Sequence, residues 1–114
     1  MRNIEDYFKG LADSTRLRIM NLLLGEELCG RDIEQLLGIP QSNISRHLTY
    51  LKRAGLVADR REGCRVHYRV LDNGSLEYQA LVAYLQAVMQ HKVFLADRKR
   101  LSQAMKSNLA RREQ

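Results

Sequence analysis

Apolar residues recur through the first half of the chain with the period of short helices. Ile4, Tyr7, Phe8 and Leu11 fall at i, i+3, i+4 and i+7 and predict a first helix that ends near Gly10 or Ala12. Asp13 is placed to cap a second helix over Ser14 to Leu24, where Leu17, Ile19, Met20, Leu22, Leu23 and Leu24 supply a wide buried face and Gly25 a stop. Glu26 to Cys29 reads as a short link or brief strand. Ile33, Leu36 and Leu37 then mark a third helix over Arg31 to Leu37, closed by Gly38. Pro40 fixes the backbone ahead of a fourth helix, Gln41 to Ala54, whose Ile44, Leu48 and Leu51 form one stripe and whose end Gly55 marks.

After Gly55 the period changes to two. Leu56 to Arg61 and Cys64 to Val70 read as strands joined by a tight turn containing Glu62-Gly63. In the second strand Cys64, Val66, Tyr68 and Val70 share one face, and Arg65, His67 and Arg69 the other. Beyond the Asp72-Asn73-Gly74 turn, Leu76 to Ala96 predicts one long helix, apolar around most of its circumference through residues such as Leu81, Val82, Tyr84, Leu85, Val88, Met89, Val93, Phe94 and Leu95. Such a helix must be covered on two sides. A chain of 114 residues cannot do that alone, so a second copy is expected. Leu101, Met105 and Leu109 recur every four residues in the polar remainder, which extends the helix or forms another. The expected organisation is one winged, dimerising domain over residues 1–96 and a polar helical extension or tail over 97–114. The fold class is mainly α with a small β-hairpin.

Charge sharpens this picture. The formal net charge is +6, and between Gln41 and Arg69 seven basic residues stand against two acidic ones, so most of the excess lies in one quarter of the chain. The side of the fourth helix opposite its apolar stripe presents Ser42, Asn43, Ser45, Arg46, Thr49, Tyr50 and Arg53, with no carboxylate among them. Two short helices joined by Gly38-Ile39-Pro40, followed at once by a basic hairpin, make a helix-turn-helix with a wing. The candidate DNA-binding residues are Gln41, Ser42, Asn43, Ser45, Arg46, His47 and Tyr50 on the helix and Arg61, Arg65, His67 and Arg69 on the wing. The first group carries donors and acceptors that match base edges; the wing arginines neutralise phosphates. The partners expected are double-stranded DNA and a second copy of the chain. No apolar run is long enough to span a membrane, and a cytoplasmic location follows. No phosphate-binding glycine loop and no nucleophile with its base and orienting group stands out, so an enzyme is not expected. The competing readings are a winged-helix regulator without an effector and a basic adaptor that binds acidic protein surfaces.

Three stretches resemble the ArsR/SmtB repressors: Phe8 to Ile19 (FKGLADSTRLRI), Gln41 to Leu48 (QSNISRHL) and Gly63 to Arg69 (GCRVHYR). The resemblance runs from about Ile4 to Val93. It implies a homodimer built on the first and long fifth helices, here through Tyr7, Phe8, Leu81, Leu85, Val88 and Met89, together with operator binding that represses transcription and an inducer that releases the DNA. The family's arsenic-site stretch, Cys-x-Cys-Asp, is matched here by Cys29-Gly30-Arg31-Asp32, with arginine in place of the second thiolate. Soft ions need two or three thiolates, so Cys29 is read as a buried structural cysteine. The long helix has His91 without partners at ligand spacing, and His91 is read as a surface residue. The sequence therefore points to no metal site and no cofactor, and leaves the inducer unknown. The thiols Cys29 and Cys64 are the default candidates for a redox or chemical sensor. Cys64, beside Arg61 and Arg65, is the better placed, and a disulfide between the two within one chain is not expected.

Overall fold

A computed structural model of the chain describes the backbone of residues 2–113 and the side chains of residues 4–107. Helices α1 (Arg2–Leu11), α2 (Ser14–Gly25), α3 (Gly30–Leu37), α4 (Gln41–Arg53), α5 (Leu76–Val88) and α6 (Lys92–Glu113) are interleaved with strands β1 (Leu28–Cys29), β2 (Val57–Glu62) and β3 (Arg65–Val70). The brief strand foreseen before α3 is real, because β1 pairs antiparallel with β3 and gives a three-stranded sheet in the order β1-β3-β2.

Asp13 caps α2 as expected, its side chain accepting from the Arg16 backbone N–H at 3.0 Å. That hydrogen bond, ahead of the nearby charges, holds the Asp13 carboxyl below its usual range. The stabilisation is present above the ordinary carboxylate pKa and is lost as the pH falls through the lowered one. Asp13→Ala is expected to cost about 1 kcal/mol at neutral pH and progressively less in acid, read from thermal unfolding at several pH values. An unchanged midpoint at neutral pH would show that the cap contributes nothing.

The core is built round α2. Ile19, Met20, Leu22 and Leu23 meet Ile33 and Leu37 of α3, Ile44, Leu48 and Leu51 of α4, and Leu56 and Val57 at the start of the hairpin. Leu85, Met89, Phe94 and Leu101 close the far side. Gly38, with φ +67, turns the chain between α3 and α4 in the left-handed region that a residue with a Cβ rarely adopts.

The segment expected as one helix from Leu76 to Ala96 is two. α5 stops at Val88, and α6 starts at Lys92 after a turn in which the His91 carbonyl accepts from the N–H groups of Phe94 and Leu95. Arg98 reaches back to donate to the Met89 carbonyl at 3.0 Å, occupying an acceptor left open where α5 ends. The break redirects α6 onto α2. There Asn21 Nδ2 donates to the Phe94 carbonyl at 2.9 Å, and Arg18 binds Asp97 through two hydrogen bonds of 2.8 and 3.0 Å. Arg100 joins the same carboxylate and also donates to the Leu36 carbonyl of α3. The boundary expected between residues 96 and 97 thus falls inside α6, and Asp97 and Leu101 are buried within the same unit as α2. Leu101 is buried and Met105 exposed, whereas the Leu109 side chain lies outside the described residues.

The break also alters the expected dimer surface. Tyr7, Leu85 and Met89 are core residues of the single chain, with Tyr7 further tied down by Asn73 Nδ2 donating to its hydroxyl. Of the six interface candidates, Phe8 is fully outward and Leu81 and Val88 are half-buried. The apolar side chains presented to solvent beside Phe8 include Ile4, Leu76, Tyr84, Val93 and Leu95.

Candidate nucleic-acid interface

The stripe that anchors α4 also fixes its roll. With Ile44, Leu48 and Leu51 buried, Gln41, Ser42, Ser45, Arg46 and Tyr50 are exposed, and Asn43 and His47 lie half-buried on the flanks. Arg46 Nη2 donates to Asn43 Oδ1 at 2.7 Å, so the guanidinium is steadied by a neutral partner and keeps its charge and most of its donors free.

His47 and Tyr50 are less free than the sequence implied. Arg16 of α2 stacks its guanidinium 4.1 Å from the centre of the Tyr50 ring and lies 3.3 Å from His47 Nδ1. The same guanidinium donates to the Gly10 and Lys9 carbonyls at 2.7 and 3.2 Å, tying α1 and α2 to α4. Arginine has no acceptor, so in the neutral imidazole Nδ1 accepts and the proton sits on Nε2. Arg16 was missed by sequence reading because its partners lie as far as 31 positions away.

The wing separates cations that the sequence groups together. Directly opposed residues of an antiparallel pair share a face, so the register Arg60↔His67, Glu62↔Arg65 and Ala58↔Arg69 puts Arg65, His67 and Arg69 on one side, as the alternation predicted. Arg61 pairs with Val66 and belongs to the opposite face. Arg60 is committed within the protein, bonded to Glu27 and Glu62, and holds the Glu62 carboxyl below its usual range. Lys52 is likewise bonded to Asp59 at 2.9 Å. His67 is half-buried with Nε2 3.9 Å from Glu62. The cations of this region without a carboxylate partner among the described residues therefore include Arg46, Arg61, Arg65 and Arg69. Gly63, at φ +63, occupies the first central position of the two-residue turn that carries Cys64 at the wing tip.

The two thiols differ as expected in exposure. Cys29 is buried and donates to Asp32 Oδ2 at 3.1 Å; Cys64 is exposed. Sequence reading missed that both border one cleft between the wing and the two helices of the helix-turn-helix. Cys29 is level with His67, and Cys64 stands three residues further along, about 10 Å at strand rise. Among the described residues no three His, Cys, Asp or Glu side chains gather to hold a metal ion, and Arg31 stands where the resemblance would put a second thiolate. These residues do not fit a three-thiolate ion site within one chain.

Known proteins agree with this geometry. The family model described as "Bacterial regulatory protein, arsR family" matches residues 13–59, from the cap of α2 through α4 into β2. Among solved structures, the homodimeric winged helix-turn-helix domain Mb0332 from Mycobacterium bovis, a possible ArsR-family transcriptional regulator, is 34% identical with a TM-score of 0.65, covering 75% of this chain and 77% of that one. The chain belongs to the ArsR family. HlyU from Vibrio cholerae N16961 superposes with a TM-score of 0.66 at 32% identity, over 75% of this ArsR-family chain and 90% of its own. The arsenical resistance operon repressor of Escherichia coli (strain K12) is 52% identical over 65 residues, 55% of each protein. The chain spans about half the length of such curated relatives.

Proposed function

We propose that this ArsR-family chain is a homodimeric transcriptional repressor that binds double-stranded DNA in the cytoplasm, acting by binding rather than by catalysis, and that an inducer releases it. α4 enters the major groove with Gln41, Ser42, Asn43, Ser45 and Arg46 at base edges. Arg65 and Arg69 of the wing meet phosphates. The observation that carries this reading is a core-locked helix whose outward face has no carboxylate, next to wing arginines that have no carboxylate partner among the described residues. Relatives named as repressors and the homodimeric Mb0332 domain support it.

Binding is expected to weaken with salt at a logarithmic slope of about −0.9 per phosphate neutralised. Arg46→Ala should cost about 1–3 kcal/mol on a duplex selected from a random library and less on unselected DNA, while Arg69→Ala should weaken all sequences alike. Fluorescence anisotropy across a salt series reads both effects. A wild type that binds no duplex even at low salt sinks the proposal. One relative, HlyU, is named an activator, so the sign of the response is read separately. A reporter carrying the selected duplex at its promoter should be silenced by the wild type and not by Arg46→Ala.

A further inference from the structure

β1 ends at Cys29, level with His67, while β3 continues to Arg65. The β3 edge at Arg65 and Val66 therefore has no strand beside it on that side. The chain turns away there into α3, and an open cleft of about 430 Å³ lies between the wing, the start of α3 and the start of α4. Its walls include Cys29, Arg31, Gln41, Cys64, Arg65 and Tyr68, and no carboxylate of the described residues lines it. Arg31 and Arg65 are both exposed and have no hydrogen-bond or ion-pair partner among the described residues. Their state contrasts with Arg16, Arg18, Arg60 and Arg100, all engaged within the protein.

We propose that this cleft seats a backbone phosphate of bound DNA, with Arg31 as a phosphate contact on the first helix of the helix-turn-helix and the Cys64 thiol at the wall of the seat. The inference rests on the DNA-binding reading and extends it to a residue outside the recognition helix and the wing. Two unpaired guanidinium groups lining one cleft, Arg31 from the start of α3 and Arg65 from the wing, complement a phosphodiester, which is anionic and bidentate-accepting. The seat is continuous with the proposed interface, because Gln41 opens the recognition helix and Arg65 belongs to the wing. DNA, rather than a free anion, is the occupant because the cleft opens beside both of those elements. Cys64 becomes a built-in reporter. A strand lying in the cleft covers an otherwise exposed thiol, whereas Cys29 is buried whether or not DNA is present.

The test uses the full chain and a mixed-sequence duplex long enough for both half-sites of a dimer. Arg31→Ala and Arg65→Ala should each lower the salt slope by about 0.9 for every phosphate the variant no longer neutralises, which makes binding roughly tenfold weaker near 0.1 M salt. Lys99→Ala on α6, an exposed cation that does not line the cleft, should leave the slope unchanged. Alkylation of Cys64 by iodoacetamide, followed by mass spectrometry, should slow when the duplex is bound and not when inorganic phosphate is added instead. Three results overturn the seat while leaving DNA binding intact: an unchanged slope in Arg31→Ala, an equal loss in Lys99→Ala, or protection of Cys64 by inorganic phosphate alone. Failure of the wild type to bind the duplex at low salt overturns the DNA reading itself, and the seat with it.

Discussion

Asp97→Ala should unfold at a markedly lower temperature than the wild type, by roughly 10–20 °C, for a loss of about 3 kcal/mol. The Asp97 side chain is fully buried, yet it lies on a helix that the sequence presents as a polar tail. Removing a carboxylate from water costs several kcal/mol, and here the cost is offset by a bidentate Arg18 fork and by Arg100. Hydrogen bonding to the Asp97 carboxylate, chiefly, raises the Arg18 guanidinium pKa further still, so the arginine stays charged at every working pH. Loss of Asp97 leaves two arginines that keep some access to water, which puts the penalty at the low end of the about 3–5 kcal/mol seen for broken buried pairs. Arg18→Ala should cost as much or more, since it leaves the anion buried with Arg100 alone. Both variants should be compared with wild type at one protein concentration, because dimerisation adds to apparent stability. Midpoints within about 1 kcal/mol of the wild type in both would show that the pair does not hold α6 onto α2. DNA affinity should fall with stability, because Arg100 also bonds the Leu36 carbonyl in the first helix of the helix-turn-helix.

That ion pair marks where the sequence stopped being legible. Features decided within a few residues were readable: the Asp13 cap, the left-handed Gly38 before Pro40, the Ile44, Leu48 and Leu51 stripe, and the period-two alternation of the wing. Each follows from local sterics or from helix and strand periodicity. The break at Met89 to His91 was not, because no glycine or proline marks it and α5 is apolar on so many sides that a change of phase leaves no trace. What enforces the break is distant: Asn21 and Arg18 on α2 require Phe94 and Asp97 to face them. The proposed DNA-binding surface was legible as a face and not as individual side-chain environments. Composition counted Lys52 and Arg60 as available to an anion, but Asp59, Glu27 and Glu62 engage them. Arg31, read only as a missing thiolate, proved to be an unpaired cation on the cleft. Pairings across 2 to 79 positions decide which charges remain for a ligand, and the longer of them lie outside any local window of the sequence.

Tyr84→Glu should convert the protein to a monomer and abolish tight operator binding while leaving the fold intact. Neighbouring positions on α5 have opposite environments: Leu85 is 2% exposed inside the chain's own core, and Tyr84 is 66% exposed. A charge at Leu85 would unfold the subunit and report nothing about association, so Tyr84 is the discriminating site. Phe8 on α1 is 65% exposed and Leu76 at the start of α5 is 82% exposed. The entry to α5 is tied to α1 through Asn73 and Tyr7, which places these apolar groups on adjoining elements. Each leaves apolar area that a monomer would expose to water. In a two-fold dimer each substitution acts twice, so a loss of about 2–4 kcal/mol at a central aromatic weakens association by at least roughly thirtyfold. Operator affinity should fall with it, because two recognition helices about 34–36 Å apart read an inverted repeat only while the dimer holds them together. Sedimentation velocity at micromolar protein, circular dichroism and anisotropy on the selected duplex separate the effects. A folded Tyr84→Glu variant that remains a dimer and binds like the wild type would show that the two copies meet on a different surface. A monomeric variant that still binds one half-site weakly, with the Arg46 dependence unchanged, would confirm that α5 joins the subunits and α4 reads the DNA.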